Sequence, residues 1–203
     1  DHMLEILYRI GYQAAIITFK SVADYNSYQD SSWFPKRNKK QVLPITTKTI
    51  SSYKTKNGKI SLIPRINLHI NNPNHLKQKL NEIVSTKCLI SVDSTDKQVL
   101  EVAARDGRVD SISIASRNHF KSLTKGIISL CRQNSCFLDL NISLIFDIDH
   151  FHRARILREF HKIFSTYPPQ NYNYIIGAYP NVLKNPWLFR GPQEIIHVLH
   201  CLF

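Results

Sequence analysis

Residues 99–120, VLEVAARDGRVDSISIASRNHF, decide how this chain is read. Apolar side chains from Val99 onward recur at helical spacing, and the pattern ends at Gly107, a residue suited to stopping a helix. From Val109 to Ala115 apolar and polar residues alternate, which is the period of a strand. Ser116, Arg117, Asn118, His119 and Lys121 follow at once, where the next helix begins. Cations at a helix N-terminus oppose its dipole, so a sequence shaped for stability alone would place Asp or Glu there. The placement suits an anion held among those side chains and the free backbone N–H groups. A solvated helix start with scattered cations is the plainer alternative.

The helix–strand–helix pattern extends outward in both directions. Leu4 to Ile10 reads as a helix ended by Gly11, and Ala14 to Phe19 (AAIITF) as a buried strand. Tyr25 to Gly58 is a polar, lysine-rich passage carrying Lys36, Arg37, Lys39 and Lys40, with Trp33-Phe34-Pro35 as a possible anchor and Asn57-Gly58 as a turn. Lys59 to Asn71 (KISLIPRINLHIN) reads as a strand, Pro73 to Ile83 as a helix, Cys88 to Val92 as a strand and Lys97 to Arg105 as a helix. Phe120 to Cys131 predicts one further helix, Phe137 to Ile145 is strand-like at its start, and His150 to Phe164 is strongly helical. Tyr174 to Ala178 predicts a last strand and Pro192 to His200 a closing helix. Strands alternate with helices and no hairpin is signalled, so the expectation is an α/β fold with a mainly parallel sheet. All 203 residues fit one domain, and a complete (β/α)₈ barrel ordinarily needs about 250.

Lys and Arg number 27 against 15 Asp and Glu, a formal charge of +12. Such an excess favours polyanionic partners, nucleic acid or an acidic membrane surface, although simple solubility also accounts for it. No apolar run is long enough to span a bilayer, and no signal-peptide pattern opens the chain. Cys88, Cys131, Cys136 and Cys201 lack CxxC spacing, and buried thiols in a reducing compartment explain them best. The expectation is a cytoplasmic protein.

Four local signatures, in order, resemble one family. They are Ile10-Gly11-Tyr12 leading into AAIITF; Val109-Asp110-Ser111-Ile112 followed by Arg117 and His119; the helix opening Arg153-Ala154-Arg155-Ile156-Leu157-Arg158; and Ile176-Gly177-Ala178 with Arg190-Gly191-Pro192-Gln193-Glu194-Ile195-Ile196. Together they resemble the archaeal and eukaryotic ribonuclease P protein component 3, the barrel-shaped p30-type subunit. The family's corresponding patterns are "LGY", a "VD-x-I" strand before a basic turn, "ERANLLR" and "SSGA". The chain departs from them at Ile176-Gly177, in the lysine-rich passage before Lys59, and in lacking the "FVDL"-like strand that the family places ahead of "LGY".

The resemblance implies an irregular, shortened TIM-like barrel with its first strand missing. It implies a subunit of the ribonucleoprotein that removes the 5′ leader from precursor tRNA. In that enzyme the RNA carries the active site and its magnesium ions, so the protein itself would bind no cofactor. The partners implied are ribonuclease P RNA, the small α/β protein component 2 and other subunits of the complex. Precursor tRNA would be met indirectly, and no membrane is involved.

The candidate RNA-binding residues are Arg117, His119, Lys121 and Lys125 after the Asp110 to Ala115 strand, at the end where α/β folds bind ligands. Arg153, Arg155, Arg158 and Lys162 join them, with Arg155, Arg158 and Lys162 forming one helical stripe. That stripe is equally a solvated face, with Glu159 placed to pair with Arg155. Lys36, Arg37 and Arg190 complete the set, the first two beside Trp33 and Phe34 in a loop that is either an RNA-docking element or merely solvated. Two other classes compete. Asp149, His150 and His152 suggest a metal-dependent phosphoesterase related to the polymerase-and-histidinol-phosphatase hydrolases, but the His-x-His sits at a helix start without companion ligands. Asp93 and Asp139 are the only carboxylates suggesting a small-molecule barrel enzyme, and His69 and His75 read as structural.

Overall fold

The computed structural model describes residues 2–29, 51–55, 58–83, 88–146, 150–168, 171–177 and 191–202. In chain order its elements are α1 (His2–Arg9), β1 (Ala14–Phe19), α2 (Val22–Gln29), β2 (Ser51–Thr55), β3 (Gly58–His69), α3 (Pro73–Ile83), β4 (Leu89–Asp93) and α4 (Lys97–Arg105). There follow β5 (Ser111–Ile114), α5 (Arg117–Ser122), α6 (Lys125–Gln133), β6 (Phe137–Asn141), α7 (Ser143–Phe146), α8 (His150–Thr166), β7 (Tyr174–Gly177) and α9 (Pro192–Leu202). Six parallel strands run in the order β1-β3-β4-β5-β6-β7 and form a curled, TIM-like half-barrel with helices between them.

β2 is the exception. It pairs antiparallel with the first half of β3, from Ser51 opposite Leu62 to Thr55 opposite Gly58. The expectation of a sheet without hairpins is therefore corrected here. Asn57-Gly58 is a hairpin signal in its own right, and a polar, lysine-bearing strand before it lacks the apolar alternation that reveals strands. β4 takes over the same side of β3 from Arg65 to His69, so one long strand serves two neighbours in succession.

Local chemistry sets the helix limits. Gly11, at φ +100°, ends the first helical segment in a conformation that glycine adopts without strain. Asp96 caps α4, its Oδ1 accepting the Val99 N–H at 2.9 Å. The single helix expected from Phe120 to Cys131 is two helices. Leu123 is extended, and Thr124 starts α6 by accepting the Ile127 N–H at 3.2 Å. A threonine N-cap restarts a helix without disturbing the apolar spacing, so periodicity alone cannot see the break. Asp110 stitches β4 to β5: its carboxylate accepts the Ile90 N–H at 2.7 Å, and its own N–H donates to the Ile90 carbonyl at 2.9 Å.

The two faces of the sheet differ in chemistry. Ile66, Leu68, Ile90, Val92, Ile112, Ile114, Leu138 and Leu140 lie on one face and pack with helix residues such as Leu76, Leu80, Leu100 and Ile127 in the main core. A smaller cluster of Leu4, Ile60 and Leu62 seats α1 on the start of β3. Strand pairing puts Thr18, Arg65, Asn67, Ser91, Ser111, Ser113, Asp139 and Asn141 on the opposite face. An Arg65 guanidinium nitrogen bonds Asp139 there, and Arg65 Nε donates to Thr18 Oγ1 at 3.0 Å. β3 and β6 are three strand spacings apart, about 14 Å in a flat sheet, so the bridge fits a sheet curled toward its polar side.

Candidate nucleic-acid interface

Parallel strands end together, and here the shared rim carries His69 at the end of β3, Asp93 at the end of β4, Asn141 at the end of β6 and the opening of α5 just after β5. The His119 side chain turns inward from α5 and is buried. Its Nδ1 accepts the N–H groups of Ala115 at 3.0 Å and Ser116 at 3.2 Å. A ring nitrogen that accepts two backbone protons carries none of its own, so the imidazole proton belongs on Nε2. Nε2 lies 2.9 Å from Asp93 Oδ1, and His69 Nδ1 lies 3.5 Å from the same oxygen. Burial pushes the Asp93 carboxyl up, but the His119 and His69 imidazoles beside it outweigh that and hold the group below the ordinary carboxylate range.

The structure places His119 inside the fold, apart from the outward-facing cations expected beside it. Both of its nitrogens are engaged by the protein, and its role is to fasten the β5–α5 turn to the end of β4. The dipole argument also weakens, because α5 has six residues, under two turns. Arg117 is half-buried, with its Nε enclosed and lacking a hydrogen-bond partner. Lys121 and Lys125 are exposed, and Lys125 opens α6.

The second basic segment lies on the 17-residue α8. Ile156, Phe160, Ile163 and Phe164 bury one side, which leaves Arg158 and Lys162 exposed and Arg153 and Arg155 half-exposed. Arg155 stacks on the Phe151 ring, its guanidinium carbon 4.0 Å from the centroid, rather than reaching Glu159. Phe120 of α5 meets Phe160 of α8 edge to face at 5.3 Å, so the two basic segments are carried by touching helices. Lys36, Arg37 and Arg190 lie outside the described residues, as does Asp149. His150 and His152 are exposed at the start of α8. Among the described residues no group of three or more His, Cys, Asp or Glu is placed to hold a metal ion.

Asp139 is fully buried and paired with Arg65, whereas Asp93 faces His119 and His69 at the rim. Sequence reasoning missed Arg65, Asn67 and Ser91. The signal was present in RINLH, where Arg65, Asn67 and His69 occupy alternate positions and so share one face. Cys88, Cys131 and Cys136 are buried, and a hydrogen bond with Cys131, together with burial, pushes the Cys136 thiol far up. No helix among the described residues is long and apolar enough to cross a membrane.

Comparison with known proteins follows the same line. A search of the curated proteins finds no match. Among solved structures, a chain from the cryo-EM structure of archaeal ribonuclease P with mature tRNA shares the fold, with a TM-score of 0.73 at 12% identity over 99% of this chain and 78% of that one. The family model described as "RNase P subunit p30" matches residues 1–202. This chain, with its polar-lined half-barrel and basic outer helices, belongs to the RNase P subunit p30 family.

Proposed function

We propose that this chain, a protein subunit of ribonuclease P by its family, acts in that ribonucleoprotein endoribonuclease by holding and stabilising RNA rather than by cutting it. One observation carries the reading. Arg65 and Asp139 on the inner face and Asp93 and His119 at the rim pair with one another, whereas Lys121, Lys125, Arg158 and Lys162 face solvent on neighbouring helices. Cations in that arrangement grip phosphates and set position without reading sequence. Hydrolysis of the precursor tRNA leader would then fall to the RNA subunit and its magnesium ions, with the protein contributing no cofactor of its own. A small α/β protein, component 2, is the partner we assign for stabilising the RNA.

The test is precursor-tRNA cleavage by ribonuclease P RNA and its other proteins, reconstituted with and without this chain. Rescue at low magnesium by a chain that is inert alone is the expected result. Binding to the RNA should weaken steeply as salt rises, the log–log slope scaling with the number of phosphates contacted. Chelator-sensitive phosphoester hydrolysis by the protein alone would overturn the assignment.

A further inference from the structure

Phosphate contact leaves one surface feature of α8 unexplained. Phe151, in the first turn, is 62% exposed. A phenylalanine at such a position forgoes most of the stabilisation that burial would give, and one cation–π contact restores only a fraction of it. Yet the ring is not loose. Arg155 lies over one face at 4.0 Å, and His152 meets it edge to face at 6.0 Å.

The surroundings are cationic. Arg153, Arg155 and Arg158 occupy the same two turns, and the first turn of α8 holds no acidic residue. An exposed aromatic ring alone would suit an apolar protein patch as well as a nucleobase. A ring with one arginine over its face and another a turn further along the same side of the helix suits a polyanion that also offers flat apolar faces. Single-stranded RNA has both, since each unpaired base has a π-face and each nucleotide a phosphate. Duplex RNA hides its base faces in the helix and offers the phosphates alone.

We propose that Phe151 and Arg155 form a stacking subsite for an unpaired RNA base, with Arg158, one turn further along the same face, on an adjoining phosphate. The inference rests on the RNA-binding reading and narrows it: α8 meets a loop, bulge or strand end rather than a regular duplex. Stacking on Phe151 adds affinity that salt does not screen, whereas the arginines supply the part that it does.

The experiment compares two labelled RNAs with the full chain: a hairpin carrying 2-aminopurine in its unpaired loop, and a fully paired duplex of equal length. The wild-type chain should bind the hairpin more tightly and quench the loop fluorophore. Phe151→Ala should lose about tenfold in hairpin affinity, within the range expected for one stacked base, and close the gap to the duplex. Its salt slope should stay unchanged, and Phe151→Trp should restore both affinity and quenching. Arg158→Ala should lower the salt slope by about one for both RNAs. Because Phe151 is exposed, an unchanged thermal midpoint will show that Phe151→Ala folds.

Equal hairpin affinity for Phe151→Ala and the wild type overturns the proposal. So does a loss that appears only when another protein subunit is present, which would make Phe151 a protein-docking residue. A chain that binds neither RNA at any salt overturns the RNA-binding reading itself, and the subsite with it.

Discussion

His119 and Arg155 are both basic residues near the start of helices that touch each other, and they could hardly be used more differently. The His119 ring is buried, receives two backbone N–H groups on one nitrogen and faces Asp93 with the other. Arg155 is half-exposed and lies over a single aromatic ring four residues before it. The first region is over-determined: every polar atom of the side chain has a place in the fold. The second keeps donors in reserve. A basic residue whose bonds are saturated inside contributes shape, and one whose bonds are not contributes charge to whatever docks.

That contrast can be broken most forcefully at the centre of the inner face. Arg65→Met removes the positive charge paired with the buried Asp139 carboxylate, which should cost about 3–5 kcal/mol in chemical denaturation. The double variant Arg65→Met/Asp139→Leu should recover much of that loss. If the single change proves neutral, the inner face is not held by this pair.

A smaller effect is expected one layer out. His119→Ala orphans the Ala115 and Ser116 N–H groups and should cost about 1–3 kcal/mol. The salt slope of RNA binding should not move, since His119 touches no phosphate in this reading. A lower slope with unaltered stability would reverse the roles assigned to the two regions.

Acid separates the regions more gently. The Asp93 carboxyl is held below its ordinary value, so the folded state gains stability at pH values above the unfolded pKa of about 3.9. That gain disappears as pH falls through the depressed folded value. Asp93→Asn should therefore flatten the acid limb of the stability profile below about pH 4 and leave RNA binding at neutral pH to the α8 arginines. The least effect belongs to the outside. Lys162→Ala should leave unfolding within about 0.5 kcal/mol of wild type, since its side chain is exposed.

Much of this architecture was legible in the chain. Period-2 runs such as SISI and FLDL mark strands, 3.6-residue spacing marks α4 and α8, and Gly11 and Pro73 mark helix limits. The basic residues of α5, α6 and α8 were also legible as residues. What they do was not, because that depends on partners far along the chain. Nothing near His119 in sequence announces Asp93, and nothing near Arg65 announces Asp139. β2 escaped notice because its alternation is polar on both sides, and the α5–α6 break because Thr124 interrupts the backbone without interrupting the apolar pattern. Arg65, Asn67 and His69 were readable as one face, had the polar half of the alternation been weighed as carefully as the apolar half.

The bridge from Arg65 to Asp139 is a chord drawn across an arc: it ties β3 to β6 on the polar, concave side, while the helices ride on the outside. Lumen and outer surface are thus two sides of one wall, the inner side closed by an internal ion pair and the outer side carrying the exposed cations of α5 and α8.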